Sequence, residues 1–321
     1  EGKQRSTTRY KAAGMSIKFI DCPSFLADLV TPELAAIVPN LEWHHGSPSR
    51  DRVQELLSDC QFLMNDHTEF DAELLQLGKN LKAIVFMGTG ASSYIDLGAA
   101  ERYGIRVRTI SGYGDRSVAE HAIGLMFCAG RKIATMDRAL RVGKWETLDS
   151  VEFHTKTLGV VGVGGIGSEM IRLGAALGMK VVAWNRSGVS NGLPATEVGL
   201  EDLLVMSDVV SLHLSLTNET AGLIDAHKLS LLSADSILIN TARGGLIDEE
   251  ALMDLLRGRK ISHAALDVFG AEPVGPDHPI LQLENVTLTA HAGFMTREAS
   301  ARLLRMGLDI LSQEIAVVPT E

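Results

Sequence analysis

The chain has 321 residues, 45% of them hydrophobic and 22% charged, which is enough apolar material for two cores. A net charge of −10 at pH 7 argues against nucleic acid or an anionic membrane surface as a partner, and no apolar run approaches the roughly 18 residues of a spanning helix. Cys22, Cys60 and Cys128 lie far apart with no CxxC spacing, so no metal site and no disulfide framework is expected, and the expected compartment is reducing, hence cytoplasmic.

Residues 1–14, EGKQRSTTRYKAAG, are polar and basic without an apolar stretch and are read as a leader ahead of the fold. From Met15 to Ile110, the strand-like runs IKFID, CQFLMN, LKAIVFM and IRVRTI alternate with the helix-period segments LADLVTPELAAIV, RVQELL, AELLQLG and IDLGAAERYG. This rhythm predicts βα units and a parallel sheet. After the turn-rich SGYGD, the stretch SVAEHAIGLMFCAGRKIATMDRALRVG has helical periodicity throughout and would suit a bridge between domains. The alternation then restarts, with TLGVVGV, MKVVAW, DVVSLHL, SILIN, SHAALDVF and VTLTAH as strands and EDLLVMS, AHKLSLL and DEEALMDLLRGRK as helices. Two α/β domains in series follow. The segment from Thr296 to Ile315 is amphipathic helix, too little for a domain, and is expected to pack on one already built.

TLGVVGV leads into Gly162-x-Gly164-x-x-Gly167, with Gly165 and Ile166 between the last two glycines, and MKVVAW returns as a strand. Gly162 suits a tight turn, Gly164 lets backbone approach a pyrophosphate, and Gly167 permits close contact between helix and strand. Free N–H groups at the helix start favour the phosphates. Such a fingerprint usually has Asp or Glu about 20 residues later, holding the adenine ribose. This chain has Asn185, Arg186 and Ser187 there. An Asp would oppose a 2′-phosphate by roughly 4 kcal/mol at about 4 Å and an effective dielectric of about 20. Asn185 removes that repulsion, Arg186 offers a charge-assisted contact and Ser187 a hydroxyl. NADP(H) is the expected cofactor. A solvated Arg186, with Asn185 bonding the ribose of NAD(H), is the alternative.

Arg243, Asp267, Glu272 and His291 each follow a predicted strand of the second half, and ligands of open α/β sheets bind at the carboxyl ends of strands. Each residue also has a structural reading. His291 alone is one of ten histidines, Arg243 could serve an ion pair, Glu272 could sit in a solvated turn, and Asp267 could cap a loop. Taken together, VGVGGIG, LHLSLTNETAGLI, LINTARGGLIDEEAL, AALDVFGAEP and HAGF occur in the order and approximate spacing of the D-isomer-specific 2-hydroxyacid dehydrogenase family, which the chain resembles from Met15 to about Leu311. Ser215 and Ala290 depart from it, standing where proline is common.

The resemblance implies two Rossmann/flavodoxin-like parallel-sheet domains, with a cofactor domain (114–293) inserted into a substrate domain (15–113 and 294–321), an active site in the cleft between them, and a homodimer. It implies that Arg243, Glu272 and His291 are catalytic. Asp267 would receive the nicotinamide amide, while His213, Leu214, Thr241 and Ala242 would contact the cofactor. Gly88, Thr89 and Gly90, after a strand of the first half, would form an anion nest for the substrate carboxylate. In reducing a 2-keto acid, His291 would donate the proton, since its charge changes near neutral pH. Glu272 would favour the imidazolium and fix the ring, and Arg243 would hold the carboxylate, with Gly244 and Gly245 giving the backbone freedom to aim it.

The resemblance also narrows the substrate. FLMNDHTEFDAELL holds Asp66, Glu69 and Asp71 and has no Lys or Arg before Lys79, where phosphoglycerate-using relatives carry cations. Glu272 stands where the formate-specific branch has glutamine. A small 2-keto acid such as glyoxylate or hydroxypyruvate is expected, with Met87, Tyr94, Phe294 and Met295 as candidate apolar lining unless packing explains them. A phosphoglycerate-dehydrogenase-like enzyme using NAD and a dehydrogenase-like nucleotide-binding corepressor are the competing readings. Asn218 and Glu219 receive no role.

Overall fold

A computed structural model describes residues 14–317, so the leader read at 1–14 lies outside the described residues except for Gly14. The chain divides into two compact units, residues 114–296 forming one and the segments before and after them forming the other.

The first unit contains β1 (Ile17–Cys22), α1 (Ser24–Ala27), α2 (Pro32–Ala35), β2 (Leu41–His45), α3 (Arg50–Leu57), β3 (Phe62–Asn65), α4 (Ala72–Leu77), β4 (Ala83–Phe86), α5 (Leu97–Arg102) and β5 (Arg106–Arg108). Its sheet is parallel in the order β2-β1-β3-β4-β5. The single helix suggested by LADLVTPELAAIV is instead two short ones. Pro32 lacks an N–H and takes the first position of α2, and the Thr31 side chain accepts from the Leu34 N–H at 3.3 Å. LEWHH, which carries no clear alternation, forms the edge strand β2 by pairing with β1.

The second unit begins with α6 (Asp115–Gly130) and α7 (Ile133–Arg141). The long predicted helix breaks between them at Lys132, whose φ of 54° is left-handed. There follow β6 (Thr157–Val161), α8 (Gly165–Ala176), β7 (Lys180–Trp184), β8 (Thr196–Glu197), α9 (Leu200–Met206), β9 (Val209–Leu212), α10 (Ala226–Leu229), β10 (Ile237–Asn240), α11 (Glu249–Arg257), β11 (His263–Leu266) and β12 (Val286–Leu288). All pair in parallel in the order β12-β11-β10-β9-β6-β7-β8. The chain leaves β6 toward β7 and later resumes on its other side with β9, which makes the β6/β9 boundary the switch point where such sheets hold ligands.

Central strands of both sheets are buried along their whole length, as helical cover on both faces requires. In the second unit one core packs α9, α10 and α11 on the sheet, and the other packs α6 and α8. Among the described residues no helix is long and apolar enough to cross a membrane.

The last helix, α12 (Arg297–Ala316), returns to the first unit, where Leu303, Leu304, Leu308 and Leu311 join Phe19, Phe62 and Val85 in one core. Gly307 passes so near Met87 that an added Cβ would lie 2.8 Å from its sulfur, which puts Met87 in core packing and not in a pocket lining. The end of α12 is tied to β5 through buried Glu314, which accepts from Arg106 Nε at 2.7 Å and from Arg108. Burial raises the Glu314 carboxyl, but these two arginines outweigh it and hold the pKa below its ordinary 4.5. A depressed carboxylate adds stability that is present above its ordinary value and lost as pH falls through the lowered one. Glu314→Ala leaves two half-exposed arginines that water can reclaim, so it is expected to cost about 1–3 kcal/mol in urea unfolding at pH 7, less than a fully buried pair. The deficit should shrink below pH 4.5.

Candidate active site

Parallel topology places the carboxyl ends of β12, β11, β10, β9 and β6 in one row along the second unit. His291, Asp267, Arg243, His213 and Gly162 follow those ends in the same order.

Gly162 has φ +94°, and a Cβ on it would fall 2.7 Å from the His213 carbonyl oxygen, so the turn after β6 needs glycine on two counts. A Cβ on Gly167 would fall 1.9 Å from the Gly162 carbonyl oxygen, which closes α8 onto the turn. Gly164, capping α8, has open space where its Cβ would be. Beside these, Thr241 Oγ1 and His213 Nδ1 are buried with no hydrogen-bond partner among the described residues. A glycine cradle open at the helix start and two orphaned polar atoms fit a nicotinamide dinucleotide, whose phosphates and ribose bring donors and acceptors. Leu214, against Gly162, and Ile166, on α8, add apolar walls.

Burial pushes His213 down to about 4, so it is neutral, and its Nε2 lies 2.8 Å from Ser211 Oγ. Ala242 spends its N–H on Asn240 Oδ1 at 3.0 Å, and Asn240 Nδ2 donates to the Arg243 carbonyl at 2.9 Å. Asn240 thus shapes the loop carrying Thr241 and Arg243. It is a role that a polar residue closing an otherwise apolar run could have signalled. Gly165 meets a second unforeseen partner in Asp115 at the start of α6, where an added Cβ would lie 1.8 Å from a carboxylate oxygen.

At the other end of the fingerprint, Asn185 folds the loop that bears it. Its Oδ1 accepts from the Val163 N–H at 3.2 Å, and its Nδ2 donates to Ser187 Oγ at 2.9 Å and to the Gly188 carbonyl at 3.0 Å. Arg186 is exposed and ion-paired with Glu219, the acid to which the sequence assigned no role.

A hydrogen-bonded cluster is built around Asp267, which is buried. Its Oδ1 accepts from Thr289 Oγ1 at 2.6 Å and the Ala292 N–H at 2.8 Å, and its Oδ2 accepts from the Gly293 N–H at 2.9 Å. Its backbone carbonyl takes the His291 N–H at 2.8 Å. Burial raises the Asp267 carboxyl, but His121, Thr289 and the two N–H groups outweigh it and keep the pKa below 3.8. Within this knot His291 sits at φ +51°, a left-handed conformation costing a side-chain-bearing residue about 1–2 kcal/mol. Hydrogen bonds to an ionised carboxylate are worth about 1.5–3 kcal/mol each, so the loop holds that conformation with energy to spare.

The result is a formed dyad, with His291 Nδ1 2.7 Å from Glu272 Oε2 and Glu272 Oε1 accepting from the Phe269 N–H at 2.8 Å. Burial pushes the Glu272 carboxyl up, but His291, the Phe269 N–H and the Arg243 charge together hold it below 4.5. Phe294 meets His291 edge-on at 6.3 Å, while Met295 is exposed. Arg243 donates from Nη1 to the Ala242 carbonyl at 2.6 Å, and the other guanidinium donors remain for a carboxylate. The conformational freedom expected of Gly244 and Gly245 is not used, since neither has positive φ. What matters is the missing side chain at Gly244, where a Cβ would lie 2.0 Å from the Phe269 carbonyl carbon, so that the loops after β10 and β11 can touch.

In the first unit, the Gly88-Thr89-Gly90 turn departs from the expected nest. Gly88 donates to the Phe86 carbonyl at 2.8 Å, and neither glycine has positive φ, which leaves Thr89 and Gly90 as the backbone donors. After neighbouring β3, Asp21 gathers the N–H groups of Asp66, His67 and Thr68 at 2.8–2.9 Å. Tyr94 stacks on Phe86 at 5.4 Å and meets His67 edge-on at 5.1 Å. Arg50 reaches the same stretch from α3 but is committed to Asp71 at 2.7 Å and Glu73 at 3.1 Å.

Comparison with known proteins bears on the whole chain. Residues 123–293 match the family described as D-isomer specific 2-hydroxyacid dehydrogenase, NAD binding domain. A hydroxypyruvate reductase from Thermotoga maritima is 38% identical over 259 residues, covering 79% of this chain and 84% of that one. A D-3-phosphoglycerate dehydrogenase from Archaeoglobus fulgidus is also 38% identical, over 275 residues, but the chain spans only about half of its length (51%). Among solved structures, an acyclic imino acid reductase in complex with NADPH and D-Arg superposes with a TM-score of 0.82 at 29% identity, covering 90% of this chain and 94% of that one. By these likenesses the chain belongs to the D-isomer-specific 2-hydroxyacid dehydrogenase family.

Proposed function

We propose that this protein is an NADP(H)-preferring D-2-hydroxyacid dehydrogenase that reduces a small 2-keto acid of the glyoxylate or hydroxypyruvate kind. The observation that carries this reading is the His291–Glu272 contact at 2.7 Å, held in place by Asp267. The bound nicotinamide would supply the hydride. His291, with Nδ1 on Glu272, presents its Nε2 to give a proton to the carbonyl oxygen as negative charge grows there. Glu272 orients the ring and balances its charge, and Arg243 grips the substrate carboxylate through its remaining donors. His213, Thr241, Ala242 and Asp267 would hold the nicotinamide half of the cofactor.

Several features support the finer parts. The relative from Thermotoga maritima is a hydroxypyruvate reductase, and the fold neighbour that is an imino acid reductase holds NADPH. Arg186 has no acidic neighbour at 185, and its exposed pair with Glu219 is worth only about 0–1 kcal/mol, less than a 2′-phosphate would offer. A phosphorylated substrate is disfavoured by the acids Asp66, Glu69 and Asp71 that follow β3 with no Lys or Arg before Lys79. Cys22 and Cys60 are buried unpaired thiols pushed up to about 12, mainly by burial, which suits a reducing, cytoplasmic setting. Ile133 and Leu140 form an exposed apolar face on α7, and Trp145 beyond it is 89% exposed, which supports a homodimer joined through this segment.

Assayed with a panel of 2-keto acids, the protein is expected to give kcat/KM for NADPH at least about tenfold above that for NADH, and a preference for NADH would defeat the cofactor assignment. Glu219→Gln should free Arg186 and widen the ratio, whereas Arg186→Ala should collapse it. His291→Gln is expected to lower kcat by about 100-fold or more with cofactor affinity kept. If most turnover survived, the proton would have to come from elsewhere. Because the Glu272 pKa is depressed below 4.5, the stability from its dyad is present at neutral pH and lost as pH falls through that lowered value. The Tm gap between wild type and Glu272→Gln should therefore be open at pH 7 and close in acid. In sedimentation velocity, Trp145→Glu with Leu140→Glu should yield monomers.

A further inference from the structure

α7 has a second face. At roughly 100° per residue, Thr135, Arg138 and Val142 lie opposite Ile133 and Leu140. With the segments around β11 and β12 they enclose a groove of about 850 Å³, away from the glycine turn and the His291 dyad. That volume is in the range of small-molecule sites. Four cations line it, Lys132, Arg138, Lys144 and Arg259, against two acids, Glu146 and Glu284, in a chain whose net charge is −10.

The cations are poorly served by their surroundings. Arg259 pairs with Glu284 at 2.9 Å, but Lys132, Arg138 and Lys144 form no ion pair among the described residues. Burial and then the Arg259 charge push the Lys132 ammonium below its ordinary 10.5. Lys132 also occupies the left-handed junction between α6 and α7. On the groove wall, His263 is 2% exposed, with Nε2 2.9 Å from Thr287 Oγ1 and Nδ1 buried without a partner. Burial, and then Lys132, Arg138 and Arg259, depress it to about 3. Its neutral ring therefore gives no positive charge of its own and leaves one nitrogen free to bond. A cluster of mutually repelling cations with an orphaned buried nitrogen and apolar walls at Leu281 and Leu283 is incomplete without negative charge.

We propose that this groove is a binding site for an organic polyanion of metabolite size, one bearing two or more carboxylate or phosphate groups, gripped by Lys132, Arg138 and Lys144. It is independent of the reaction assigned above.

The test is calorimetric titration of the full chain with citrate and, separately, with pyrophosphate, the dinucleotide site being first saturated with NADPH. Wild type is expected to bind at least one of them saturably, citrate alone marking a carboxylate ligand and pyrophosphate alone a phosphate ligand. Lys132→Ala with Arg138→Ala should weaken that binding by about tenfold or more while NADPH affinity and sedimentation stay as in wild type. Glu146→Gln, which removes an acid from the wall, should tighten it. The proposal is overturned if wild type binds neither anion saturably, or if the double variant binds as wild type does. It is also overturned if the double variant changes sedimentation while probe binding persists, which would assign the groove to contact between copies.

Discussion

A single buried carboxylate orders the loop after β12 in the second unit. Asp267 closes β11 and collects a hydroxyl and two N–H groups from the segment 289–293, so the loop after β12 cannot take another path without stranding an ionised group in the interior. Leaving such a charge unpaired costs several kcal/mol, more than the left-handed strain at His291. The loop fixes the histidine backbone, and Glu272 meets its ring at 2.7 Å.

The same device appears in the first unit. Asp21, at the end of β1, gathers the N–H groups of Asp66, His67 and Thr68 and so fixes the loop after the neighbouring β3. In both sheets an acid at the carboxyl end of one strand orders the loop of the next. Parallel pairing is what makes this possible, since it brings every such loop to one edge of the sheet.

Charge is distributed unevenly over the rest of the molecule. Most arginines on helices are paired within a turn or with a neighbouring acid, as Arg116, Arg141 and Arg305 are. Arg186 is paired too, but with an exposed acid that a stronger anion can displace. In the groove beside α7, four cations gather against two acids. Although the net charge of −10 repels anions at long range, this local excess of cations attracts them at short range.

The sequence alone determined the βα rhythm and the glycine turn, because period and spacing are local properties, and residue type with family resemblance singled out Arg243, Glu272 and His291 as candidates. Gly162, Gly164 and Gly167 were legible from their neighbours in the chain, and the structure places Gly162 and Gly167 where no side chain fits, while Gly164 leaves open space at the helix start. The helix breaks at Pro32 and Lys132 were not, since periodicity runs straight through both. Nor could spacing reveal that Gly244 serves a close contact with Phe269 instead of flexibility, that Glu219 holds Arg186, or that Asn240 is occupied in shaping a loop. Those are contacts between residues distant in the chain, and only packing the strands side by side decides which side chains share a place.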